Sequence, residues 1–371
     1  MKRTLPLTLA LLLIAVAAVA APIRIGLMAP ITGTWSREGR EMSQVVSLLA
    51  AEVNAAGGIM GKRVDVVVED DGSNPRTAAL AAQRLTKADV VAVVGSYGSV
   101  TTEAAQALLD EVPLVQIANG ATAVRLTEKG LQYFLRTSPR DDEQARIAAQ
   151  ILKKQGFARV ALLRDASRQA KDLADETRRL LTSMGVKVVF DAALVPSERD
   201  YSALLTSMRG TDPQAVFFTG AYPEAALLLQ QKVKLGWDVP FWGGDASNNP
   251  ELVAIAGTQA AAGFSFFRPP MPQDLPNPRA KAFIAAYTAH YGAAPDSLWA
   301  VLAGDGFLAV VAAIKATKST ETAKISAWLK KGDTVIAGLT GAISFNAKGD
   351  RVGEVYKVYQ VATDGTFALQ P

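Results

Sequence analysis

The feature that most constrains this chain is a rhythm. Short β-branched runs alternate with longer amphipathic stretches, and the alternation is played through twice. Runs at residues 23–28, 64–69, 90–94 and 113–117 carry almost no polar alternation, as expected where both faces of a parallel sheet are covered. Helical spacing at 38–55, 76–87 and 101–111 fills the gaps. The rhythm resumes with strands expected at 160–163, 187–190, 215–219 and 240–242, and helices at 141–155, 169–184, 201–208 and 224–235. Strand–helix alternation implies right-handed crossovers and open, doubly wound sheets. Two series within 371 residues therefore predict an α/β chain of two similar lobes. The last third departs from the pattern. It offers helices at 279–291, 297–317 and 322–331, but only two strand candidates, at 340–345 and 354–361. The expectation is that this tail packs on sheets already built. The proline-rich stretch from Phe267 to Pro278 reads as a segment crossing between lobes.

The amino terminus predicts an address. Lys2 and Arg3 precede an apolar stretch broken only by Thr8 between Leu5 and Val19, and Ala18-Val19-Ala20 supplies small residues for cleavage before Ala21. This is the pattern of a secretory leader over residues 1–20. No Cys follows it, so a lipid anchor is not expected. The expected mature chain is soluble and exported, with neither a membrane segment nor a signalling domain after its last strand, which argues against a receptor ectodomain.

Residue content excludes much chemistry. The chain has no Cys and one His, which removes thiol nucleophiles, disulfides and Cys- or multi-His-ligated metals. Lys and Arg number 39 against 35 acids, a net +4, too balanced for a nucleic-acid footprint. The turn after the first run, Ala29 to Thr34, has one Gly and a Pro where a dinucleotide site needs G-x-G-x-x-G. Gly57 to Arg63 lacks the hydroxyl of a phosphate loop and precedes a strand. Gly263 to Phe267 misses the second Gly of a nucleophile elbow, and His290 has no nucleophile beside it. Asp70-Asp71 and Asp141-Asp142 adjoin strand and helix ends, where turns and caps explain them. No enzyme, cofactor or metal is expected.

Open parallel sheets bind ligands beyond the carboxyl ends of their strands. Two of those ends in the first series are small and hydroxylic: Gly95 to Thr102, including Tyr97, Ser99 and Thr102, and Ala118 to Thr122, including Gly120. Both can offer amides and hydroxyls to an anion at a helix amino terminus. Plain helix capping explains either loop equally well alone; two at adjacent strands shift the balance toward anion binding. The second series ends its strands with Arg164-Asp165, Gly220-Ala221-Tyr222 and Gly243-Gly244-Asp245. An acid opposite an anion hole suits a zwitterion, although Asp245 equally suits a turn.

At this point the chain resembles a known family, the type I periplasmic solute-binding proteins of ABC importers, in the branched-chain (Leu/Ile/Val) amino-acid-binding group. The resemblance runs through Ile23-Arg24-Ile25-Gly26, Pro30-Ile31-Thr32-Gly33, Asn54 to Gly61, Glu69 to Pro75, Gly120 to Thr127 and Tyr222-Pro223-Glu224. It implies two lobes joined by three crossings, near 138–140, near 266–269 and after 346. Residues 21–139 and 269–346 would form lobe I, and 140–268 with 347–371 lobe II. By motif, Ser99, Gly120 and Thr122, with Thr102 nearby, would meet a ligand carboxylate, and Asp245 the ammonium. Trp35, Tyr97, Tyr222 and Trp242 are candidate pocket walls. The chain departs from the family at Gln169-Ala170, where members have Tyr-Gly, and at Ala221, where they have Tyr. The implied function is capture of a branched-chain or other apolar amino acid by lobe closure and delivery to the membrane permease of an ABC importer. The implied protein is a periplasmic monomer with no nucleic acid and no cofactor. The alternative is the same scaffold holding an aromatic carboxylate, short amide or urea.

Overall fold

The computed structural model describes residues 21–195, 198–353 and 355–371, so the expected leader lies outside the described residues. The first sheet contains β1 (Ile23–Ala29), β2 (Val64–Asp70), β3 (Ala92–Val94), β4 (Val115–Ala118) and β5 (Phe134–Arg136). All its pairings are parallel, in the order β2-β1-β3-β4-β5. Its crossovers are α1 (Ser36–Ala55), α2 (Pro75–Leu85) and α3 (Ser99–Glu111). Helix α1 turns Met42, Val45, Val46 and Leu49 inward, the spacing of one helical face. Helix α2 starts where Asn74 accepts from the Thr77 amide (2.9 Å) and Pro75 needs no donor partner.

The chain then passes through 137–140 into the second lobe. There it lays down α4 (Asp141–Lys154), β6 (Arg159–Arg164), α5 (Arg168–Ser183), β7 (Lys187–Ala193), α6 (Ser202–Arg209), β8 (Ala215–Phe218), α7 (Tyr222–Lys234) and β9 (Phe241–Gly243). Helices α8 (Glu251–Ala256) and α9 (Thr258–Ala261) lead to β10 (Ser265–Arg268). After the proline-rich crossing come α10 (Pro278–Tyr291), α11 (Leu298–Thr317) and α12 (Thr322–Leu329), which pack on the first lobe. Helix α11 is long and apolar enough to span a membrane, but 83% of that stretch is buried as the central core helix against α1 and the first sheet.

The tail corrects one expectation. It forms a small antiparallel sheet of its own from β11 (Ile336–Gly338), β12 (Gly341–Phe345) and β13 (Arg351–Val352). Strand β12 falls on the run expected at 340–345, while β11 and β13, of three and two residues, are too short for a sequence pattern to reveal. Asp305 anchors this sheet from inside α11, accepting from the Leu339 amide (2.6 Å) and pairing with Arg351. Strand β13 pairs with β12, so this small sheet runs on through residue 352. The chain then crosses back and adds β14 (Lys357–Val361) antiparallel to β10 and β15 (Phe367–Leu369) antiparallel to β14, completing the order β15-β14-β10-β9-β8-β6-β7.

Candidate functional site

The loops after β3 and β4 are bonded to each other. Gly98 donates to the Gly120 carbonyl (3.0 Å), and the Ala123 amide donates to the Ser99 hydroxyl (3.2 Å). Ser99 opens α3, whose first amides have no helical partner. Among the described residues no acceptor is found for the amides of Ala121 and Thr122. Amides, a helix amino terminus and two hydroxyls therefore share one small patch, a setting that favours an anion. Two glycines are required here by close approach. A Cβ on Gly120 would lie 2.2 Å from the Tyr97 ring, and one on Gly98, at φ +88°, would lie 2.7 Å from the Trp35 ring. Trp35 and Tyr97 meet edge to face at 5.3 Å, so both line one corner of the patch.

Thr102 sits lower. It is fully buried, its hydroxyl donating to the Gly98 carbonyl (2.8 Å) and paired with Ser96 (2.6 Å). The structure therefore places it beneath the patch as a support.

From the second lobe comes Asp245, half-buried at the start of a short 3₁₀ turn after β9. Burial holds its carboxyl above the usual carboxylate range; Gln144 beside it opposes the shift, and the nearby Asp141 adds to it. Asp141 is the residue that sequence reasoning missed as a site candidate, having read it as a helix cap. Its amide donates to the Thr122 carbonyl (2.9 Å), which joins α4 to the anion loop. Burial raises its carboxyl as well, with the Thr122 hydroxyl and the Arg136 charge working against the rise. The Gln144 amide nitrogen is buried without a hydrogen bond of normal geometry among the described residues. Tyr97, mainly through burial, is pushed far up, with Glu38 from its own lobe and Asp245 from the other lobe adding to the rise. The anion patch thus has Asp245 of the second lobe near it, while Asp141 is bonded to the edge of the patch at Thr122. Burial is what marks Glu38, one carboxylate oxygen of which has no partner among the described residues.

Three further positions complete the candidates. Tyr222 begins α7 and donates its hydroxyl to Glu251 (2.6 Å), which fixes its polar end on α8. Trp242 belongs to the core, 6% exposed and stacked on Phe267 at 5.5 Å, so it is packing and not a cleft wall. Gln169 is exposed on the first turn of α5, and Ala170 is buried beneath it.

Comparisons with known proteins identify the family. Residues 22–366 match the family model described as periplasmic binding protein. A Leu/Ile/Val-binding protein of Rhizobium johnstonii is 31% identical over 92% of this chain and 92% of its own length. An amino acid binding protein of Pseudomonas aeruginosa is 30% identical over 95% of this chain and 93% of its own. Among solved structures, the branched-chain amino acid transporter substrate-binding protein LivJ of Streptococcus pneumoniae, in complex with isoleucine, superposes with a TM-score of 0.73 at 31% identity, covering 94% of this chain and 99% of that one. That family binds solutes and is not an enzyme family, and its name implies an extracytoplasmic location. The chain belongs to the periplasmic binding protein family, alongside the Leu/Ile/Val-binding proteins.

Proposed function

We propose that this protein captures an amino acid, branched-chain or otherwise apolar, outside the cytoplasm and hands it to the permease of an ABC importer. Export relies on the leader at residues 1–20, without a lipid anchor, and the protein works as a monomer. The observation that carries the reading is the opposition of poles. Ser99 and the loop through Thr122 offer donors on one lobe, and Asp245 is an acid on the other, close enough to act electrostatically on Tyr97 across the cleft. A zwitterion satisfies both. Its carboxylate takes the amides and hydroxyls of the first lobe, and its ammonium sits against Asp245, with Asp141 as a second acid. The relatives' names and the isoleucine complex support the choice of an amino acid over an aromatic acid, amide or urea. Trp35 and Tyr97 give the side chain an apolar wall.

Closure follows from differential contact. The first lobe holds the anion in either arrangement, and Asp245 of the second reaches the ammonium only when the crossings at 137–140, at 269–277 and beyond 352 let the lobes meet. A hydrogen bond to a charged group contributes roughly 1.5–3 kcal/mol, so Asp245→Ala should weaken amino-acid binding at least about tenfold. Calorimetric titration with leucine, isoleucine and valine reads this. Unchanged affinity in the variant removes Asp245 from the site. A thermal shift with an aromatic carboxylate and none with amino acids would replace the ligand class altogether.

A further inference from the structure

Beneath the anion patch lies a buried guanidinium. Arg136, the last residue of β5, has no solvent exposure. Its Nη1 donates to the Ala121 carbonyl (3.1 Å) and the Ala123 carbonyl (2.8 Å). Its Nη2 donates to the Thr127 hydroxyl (2.7 Å) and to Asp350 Oδ1 (2.6 Å), and its Nε donates to the same Asp350 oxygen (2.7 Å). Five contacts match the five donors of a guanidinium. Asp350 is itself fixed. Its Oδ1 accepts from the Thr127 hydroxyl (2.8 Å), its Oδ2 from Arg140 (3.1 Å), and its amide donates to Asn346 (3.0 Å). The Arg136 amide donates to the Gly349 carbonyl (2.9 Å), so backbone and side chain grip the same segment.

The two carbonyls held by Arg136 flank the amide of Thr122. A peptide unit is planar, so aiming the Ala121 carbonyl into the protein aims the Thr122 amide the opposite way, toward the cleft. Ser138 reinforces this by donating to the same Ala121 carbonyl (2.9 Å). Orientation is thus settled before any ligand arrives, and a prearranged donor costs less on binding than one that must be ordered. A lone buried guanidinium would be expensive, so Asp350 is what keeps Arg136 charged and in place.

We propose that Arg136 and Asp350 form a strut that presets the loop from Asn119 to Ala123 for an anion, which makes Asp350, more than 200 positions away in sequence, a positioning residue for ligand affinity. The proposal rests on the reading that this loop receives a ligand carboxylate. It adds that the segment leading to the last crossing governs how well the loop does so.

The test compares wild type with D350N, which keeps the side chain's shape and removes its charge, and with T127V, a milder lesion in the same strut should D350N fail to fold. Each protein is titrated with leucine and with leucinamide, which lacks the carboxylate. Amide hydrogen exchange of the peptide spanning 119–127 is followed without ligand. The expected result is a loss of leucine affinity about tenfold larger than the loss for leucinamide, with faster exchange in the loop and an intact far-ultraviolet spectrum. Equal losses for the two ligands, or unchanged exchange in 119–127, would overturn the strut. If wild type binds neither ligand, the amino-acid reading falls, and the exchange comparison alone still decides whether the strut presets the loop.

Discussion

Asp71 offers a test of how burial sets a charge in this fold. It follows β2, has 0% exposure, and accepts from the Ser73 amide (2.9 Å) on one carboxylate oxygen. The other oxygen has no partner among the described residues. Burial, with a smaller contribution from the Asp70 charge, pushes this carboxyl from 3.8 up to about 6. The folded-state value lies above the unfolded one, so ionisation works against the native state. The cost is absent below the unfolded value, grows between the two, and is complete above the folded one. A gap of about two pH units corresponds to about 3 kcal/mol when complete. At about pH 4.5 the unfolded chain is mostly ionised while the native state is not, which leaves a cost of about 1 kcal/mol. The substitution Asp71→Asn would keep the acceptor for Ser73 and would bury an amide whose own cost does not titrate. This variant should therefore gain about 2 kcal/mol relative to wild type on going from about pH 4.5 to about pH 7.5, whatever its constant penalty. Urea unfolding of both ligand-free proteins at the two pH values measures this. A difference between variant and wild type that does not change with pH would refute the assignment of a charged, desolvated Asp71.

Ligand affinity should also depend on pH, with a determined sign. Asp141 and Asp245 are held above the usual carboxylate range, so acidification protonates them first and removes the partners of an ammonium. Amino-acid affinity should fall as pH drops from about 7 toward about 4.5, and binding near the lower end should release protons. Titration in two buffers of different ionisation enthalpy detects the release; affinity that stays flat with no proton released excludes both acids. In the second lobe, Phe267 stacks on Trp242 at 5.5 Å and meets Phe217 edge-on at 5.9 Å with no exposure. Phe267→Ala should destabilise the chain by about 3–5 kcal/mol, read by urea unfolding, while leaving leucine affinity of the folded form within about twofold.

The architecture was readable because long amphipathic stretches and β-branched runs repeat their period many times, and each repeat adds to the signal. Each helix that was expected falls within two residues of its expected bounds, as α1 and α11 illustrate, whereas the short α8 and α9 carry too few turns to show a period. Strands β5 and β10, of three and four residues, went unseen because so few positions carry no period. The site was harder, for a different reason. A hydroxyl or acid at a strand's end looks the same in sequence whether it faces the cleft or the interior. Ser99 and Thr102 lie one turn apart on α3, and only the tertiary fold exposes the first to the patch and buries the second. Asp141 reads as a cap, and becomes a candidate only once β9 has carried Asp245 to it. Arg136 carries no local mark at all. Its charge is tolerable only because residue 350 returns to β5 after the chain has built a whole second lobe. Dependence of that kind is a property of closure in three dimensions. Support for the loop at 119–123 therefore includes residues with no motif around them, Asp350 among them.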